Sequence, residues 1–199
     1  MLLRLFPSNL RGKPMQNKEL CAELLAMAQQ DQEIRNQSTF IFENWSKPTT
    51  YPTIRQLLIK SFEIDEANTR RMKEIVAEYG FPGKGLVGLM GTQAAWLLVQ
   101  HADHDPDFQS ECLSLMEEAL KAKDVIASNV AYLTDRVRVN KGLPQIYGTQ
   151  WGFDNKPQPI EDETGVLSMF SGTSAIGSRA RRLTAQREFC ARQEATTLS

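Results

Sequence analysis

The sequence predicts a mainly α protein, a helical bundle with a small extended or hairpin element near its C-terminal third. Three observations lead there. Apolar residues recur three and four positions apart along most of the chain between Asn17 and Val139, the period of a one-sided helix. Gly, Pro and Asp punctuate those runs where helices start and stop. After Gly142 the pattern becomes extended instead. With 199 residues, 41% hydrophobic and 24% charged, the chain can bury a core without disulfides or metals.

Residues 1–16 carry Pro7, Gly12 and Pro14 ahead of the first periodic segment and are predicted to be a disordered lead. Residues 17–163 then form a single helical domain. Leu20, Leu24, Met27 and Ala28 define an amphipathic helix over Asn17–Arg35. The pattern breaks from Ser38 to Pro52, a loop or insertion containing Trp45 and Pro48. Ile54, Leu57, Leu58 and Phe62 predict a short helix. Asp65 is expected to cap the next one, whose buried face is Met72, Ile75, Val76 and Tyr79 and whose stop is Gly80. Phe81–Gly85 reads as a turn; its glycines, with Gly88, approach a phosphate loop without the right spacing.

Gly91–Asp103 contains Ala94–Val99, apolar around most of the helix circumference, so this helix should be central. Asp105 and Pro106 suit the cap and first position of a following helix through Phe108, Cys112, Leu115, Met116 and Ala119. Another helix, about Asp124–Val139, turns Val130, Leu133 and Val137 inward. Gln145–Trp151 followed by Asp154-Asn155-Lys156 predicts the small hairpin or ordered loop.

Composition narrows function by exclusion. A formal charge of −1 argues against a protein that coats nucleic acid or an anionic membrane. Three cysteines without close spacing give neither a zinc ribbon nor a redox pair, and point to a reducing cytoplasm. Cys112 falls on an apolar helix face, the place of a small core residue rather than a nucleophile. No apolar run approaches the ~20 residues of a membrane span. The stretch 164–199 departs from the rest, with five arginines, no lysine and two acids. It is expected to be a basic, divergent tail, solvated or poorly ordered; a nucleic-acid-binding arm is the alternative.

Both histidines of the chain, His101 and His104, lie in Gln100-His101-Ala102-Asp103-His104-Asp105. On a continuing helix they would share adjoining parts of one face. Three readings stay open. The cluster is a satisfied polar helix end; or His101 is a general acid/base oriented by Asp103 or Asp105; or the two histidines bind a metal with a distant carboxylate. The chain has no third histidine for a three-histidine zinc site, and no metal is assigned. Asp135, Arg136 and Arg138 suit an anionic group or surface ion pairs, and Tyr147, Thr149 and Gln150 a pocket wall or a turn.

Several of these segments together resemble an uncharacterised, mainly bacterial family classed as a domain of unknown function. They are Trp96-Leu97-Leu98-Val99-Gln100-His101-Ala102-Asp103, Phe108-Gln109, Ala131–Val137 and Pro144-Gln145-Ile146-Tyr147-Gly148-Thr149-Gln150, with Asn68–Pro82 and Pro159–Asp162 also fitting. The resemblance spans roughly residues 17–162, with 38–60 resembling an insertion. It implies shared polar positions at His101, Asp103, Gln109, Asp135, Arg136, Gln145, Tyr147 and Gln150, drawn from three segments. From Gly165 the chain departs from the family pattern, which suggests a replaced or frameshifted C-terminus; the same tail in an uninterrupted frame in near relatives would refute that.

The leading expectation is a small-molecule enzyme of hydrolase or transferase type. His101 and Asp103 are its catalytic pair, and Gln109, Asp135, Arg136, Gln145, Tyr147 and Gln150 bind substrate. A non-catalytic binding or protein-interaction module is the alternative, with nucleic-acid binding through the tail a second. Partners are a small molecule or another protein, and the sequence specifies no cofactor.

Overall fold

The computed structural model describes residues 17–43, 51–152 and 156–162. The expected lead over 1–16 and tail over 164–199 lie outside them. Five helices are found among the described residues: α1 Lys18–Glu43, α2 Tyr51–Tyr79, α3 Lys84–Gln100, α4 Pro106–Lys121 and α5 Ala127–Asn140. The protein is mainly α. None of these helices is long and apolar enough to cross a membrane. The chain divides into two compact units at Val130–Ala131, within α5.

In the first unit α1, α2 and α3 pack on one another, and α4 packs on α3. The expected central role of α3 is therefore observed. Its start at Lys84 is earlier than the sequence suggested. Gly88, at φ 72° and ψ 177°, interrupts it with a backbone conformation that side chains disfavour. α1 buries Leu20, Leu24, Ala28 and Ile34, a stripe at helical spacing. It also runs on to Glu43 instead of ending near Arg35, because no Gly or Pro intervenes before Pro48.

The two helices expected between Ile54 and Tyr79 are one, 29 residues long. Nothing between Thr53 and Gly80 is Gly or Pro, so Asp65 lies in mid-helix and caps nothing. Ile54, Ile64, Met72, Ile75 and Val76 are buried on α2. Tyr79, expected on the buried face, is exposed, as are Leu58 and Phe62, which marked the expected short helix. Their positions continue a helical pattern that α1 and α3 do not cover.

α4 begins as expected: Asp105 accepts a bond from Phe108 N–H at 3.1 Å and Pro106 opens the first turn, where a missing N–H costs nothing. Cys112 is fully buried on its inner face, which pushes the thiol pKa up and makes it a poor nucleophile.

The N-terminus of α3 is held from a distance. Asp124 accepts from Gly85 N–H at 2.7 Å through its carboxylate and from Lys84 N–H at 2.7 Å through its carbonyl. Thus a protein carboxylate occupies the anion-binding end of this glycine-rich turn. A Cβ at Gly83 would fall 1.8 Å from Asp124 Oδ2. Gly83→Ala should displace that carboxylate and cost about 1–3 kcal/mol. Urea unfolding checks this, and an unchanged midpoint would refute it.

The second unit contains most of α5, with Ala131, Leu133 and Val137 buried, and the segment that follows. The hairpin or ordered loop expected at 144–160 is an ordered segment in which Gly152 N–H donates to Lys156 O at 2.8 Å and Gln158 N–H to Gln150 O at 3.1 Å, while its turn at 153–155 lies outside the described residues. Among the described residues it has no strand, only isolated bridges pairing Gln145 with Ile160 and Trp151 with Pro157. The backbone N–H groups of 146, 147 and 149 are taken by Asp135.

Candidate functional site

α3 ends at His101, its C-cap, with φ −94° and ψ 2°. His101 and His104 therefore do not share a helix face: the five residues after α3 form the turn to α4. Gln109, fully buried on α4, secures that turn. Its Nε2 donates to the carbonyls of Val99 at 3.2 Å and Gln100 at 3.3 Å, and to Asp103 Oδ1 at 3.2 Å. These carbonyls are the orphan acceptors of a helix end. Gln109, one of the residues expected to bind substrate, caps α3 and fixes the backbone that carries His101. Asp103 accepts that bond from an exposed place in the turn.

The carboxylate at the His101 ring is Asp31, from α1. Both its oxygens lie 2.9 Å from His101 Nδ1. Asp31 has no exposed side-chain area, while His101 retains 16%. Arg35, one turn along α1, donates Nε to Asp31 Oδ1 at 3.0 Å and Nη2 to Asp65 Oδ1 at 2.6 Å. Gln32 donates to Asp31 Oδ2 at 2.8 Å. One ligating atom from each of Asp31, Asp65 and His101 lies within 4.8 Å of the others. Three helices thus bring two carboxylates, a guanidinium and an imidazole to one place.

The two carboxylates are tuned in opposite directions. Burial works against the charge of Asp31. The hydrogen bond and charge of His101, with Gln32 and Arg35, outweigh it and hold the carboxyl below its ordinary value. For Asp65 burial prevails over Arg35 and His101, and its pKa is raised. This donor set does not favour a metal, because Arg35 already bridges both carboxylates and fills the cationic role.

A family model described as a family of unknown function (DUF6624) matches residues 18–166, three quarters of the chain. The chain belongs to the DUF6624 family. The DUF6624 match takes in Asp31, Asp65, His101 and the Asp135 segment alike. Among curated proteins and solved structures, none matches the chain.

The remaining expected site residues of this DUF6624 chain lie in the second unit and build a loop. Buried Asp135 accepts from Ile146 N–H at 2.7 Å and Tyr147 N–H at 2.9 Å through Oδ1. Its Oδ2 accepts from Thr149 N–H at 2.9 Å and Thr149 Oγ1 at 2.8 Å. All four acceptor positions of the carboxylate are used. Gln145 Oε1 accepts from Gln150 N–H at 2.8 Å, and its Nε2 donates to the carbonyls of Gln150 at 3.0 Å and Gln158 at 2.8 Å. Gln150 in turn accepts from Arg136 Nη1 at 3.2 Å and donates to Thr149 Oγ1 at 2.9 Å. Asp135 and Gln145 spend their bonding capacity on the loop's own backbone.

Asp31, Arg35 and Asp65 escaped the sequence reading. A signal existed for Asp31, which lies three residues after Ala28 and three before Ile34, on the buried stripe itself. A charge there needs a partner from another element. No such signal marks Asp65, which lies between buried Ile64 and exposed Glu66 and reads as a helix cap.

Proposed function

We propose that this chain is a small-molecule enzyme of hydrolase or transferase type in which His101 transfers protons through Nε2, its ring held by Asp31. One observation carries the reading. The buried carboxylate of Asp31 engages Nδ1 at 2.9 Å, and Nε2 makes no hydrogen bond to any described residue. A carboxylate on Nδ1 favours the tautomer protonated there, which leaves the lone pair of the neutral ring on Nε2. When Nε2 takes a proton, the anion of Asp31 stabilises the imidazolium without itself being protonated. The orienting role expected of Asp103 is thereby assigned to Asp31.

The test begins with ¹⁵N NMR of the imidazoles. The reading requires Nδ1–H and an unprotonated Nε2 on the neutral His101 ring; the opposite tautomer overturns it. A panel of esters, amides and phosphoesters then follows, comparing the unsubstituted chain with His101→Ala. Activity should fall about 10²- to 10⁴-fold with the helical circular dichroism retained. Turnover that survives the substitution refutes the assignment.

A further inference from the structure

His101 and Asp65 share a pattern within the cluster. Each has one polar atom tied down and one left open. His101 Nδ1 is held by Asp31, and its Nε2 is unengaged among the described residues. Asp65 Oδ1 is held by Arg35 at 2.6 Å, and its Oδ2 takes no bond from a described residue. Both side chains keep 16% of their accessible area. Asp31 differs: it has none, and both its oxygens are occupied. The cluster therefore has an inner carboxylate that positions and an outer carboxylate with a reachable oxygen.

We propose that Asp65 is the second proton-transfer group of this site, working opposite His101 on a hydrolysable or transferable bond. This inference rests on the acid–base reading of His101. In the step it supports, Asp65 Oδ2 takes the proton of an attacking water or hydroxyl as the new bond to oxygen forms. The protonated His101 gives its Nε2 proton to the departing atom as the old bond breaks. Asp65 is left as the acid and His101 as the neutral ring with Nδ1–H still on Asp31. Proton exchange with solvent restores both, so no oxidant, reductant or cofactor is consumed.

The charged groups acting on Asp65 are Arg35 and Asp31 from α1 and His101 from the end of α3. Arg35 anchors Oδ1 through a charge-assisted hydrogen bond, which leaves Oδ2 as the oxygen without a bond from a described residue. The raised pKa of Asp65 strengthens it as a base relative to an ordinary aspartate. On the same α2 face one turn later, buried Asn68 has an amide nitrogen without a partner, so the polar strip extends beyond the carboxylate.

Diethyl pyrocarbonate supplies a probe that needs no known substrate. It acylates an unprotonated ring nitrogen, and loss of the acyl group requires water to attack beside that ring. His104, exposed in the same turn, is an internal control. With the full chain and mass spectrometry as the readout, the adduct on His101 should hydrolyse at least about tenfold faster than that on His104. Asp65→Asn should remove the difference. In the unsubstituted chain the acceleration should also fade as acid protonates Asp65, which keeps the test valid if the variant does not fold.

Equal rates at the two histidines, or an acceleration that survives in folded Asp65→Asn, would overturn the role of Asp65 alone. A His101 that resists acylation while His104 reacts would overturn this inference and the reading of Nε2 together.

Discussion

Asp135→Ala is expected to undo the loop over Gln145–Gln150 and to cost about 3–5 kcal/mol. Four hydrogen bonds converge on that carboxylate, from three backbone N–H groups and one hydroxyl. Alanine would leave these donors without their acceptor, and the N–H of Thr149 belongs to a buried residue. The loss should be local first. Amide exchange at Ile146, Tyr147 and Thr149 should accelerate more than exchange on α1–α3. Asp135→Asn keeps one acceptor oxygen and should cost less. A midpoint shift worth under about 1 kcal/mol for the alanine variant would show that the loop is held by something else.

Asp31→Ala is the second large effect, at about 3 kcal/mol near neutral pH. It removes a carboxylate with no exposed area and deprives His101, Arg35 and Gln32 of their common acceptor. The pH dependence has a definite sign. The folded protein holds Asp31 below its ordinary value of 3.8, so its contribution is present above that value and is lost as pH falls through the folded one. The gap between the unsubstituted chain and Asp31→Ala should therefore narrow below about pH 4.

Asp65 behaves in the opposite sense. Its raised pKa means the folded chain disfavours its charge, so Asp65→Asn should leave stability at neutral pH unchanged or increased. Urea unfolding of both variants between acid and neutral pH checks the pair. Two variants that destabilise alike at neutral pH would show that the carboxylates are not differently tuned.

Helix existence was legible wherever the apolar pattern was one-sided. The junction Asp105-Pro106 also appears as read, because a cap and an N1 proline act within one turn and need no tertiary partner. Boundaries were less legible. Asp65 looks like a cap, yet capping requires the preceding residue to leave the helix, and nothing before it in α2 does so. Tyr79, expected on the buried face and found exposed, shows the complementary failure: periodicity identifies an apolar face but not whether another helix covers it.

The candidate site divides along the same line. His101 could be selected from sequence because histidine is scarce here and lies at the end of an apolar helix. Its pairing with Asp31 could not. The adjacent aspartate at 103 was the nearest acid in sequence, whereas Asp31 is 70 residues away and reaches the ring because α1 packs on α3. Asp135, Gln145 and Gln150 were visible as polar residues in an apolar setting, but their bonds to one another arise only once the loop folds over α5.

The sequence by itself determined the mainly α character, the buried stripe of α1, the apolar α3 and the start of α4, since each depends on side chains within a few turns of one another. Tertiary structure alone decided that Asp31, Arg35, Asp65 and His101 meet, and that the first carboxylate is held ionised while the other is pushed towards its acid form. The physical reason is that charge and burial act through distance in space, and three helices must pack before those distances exist.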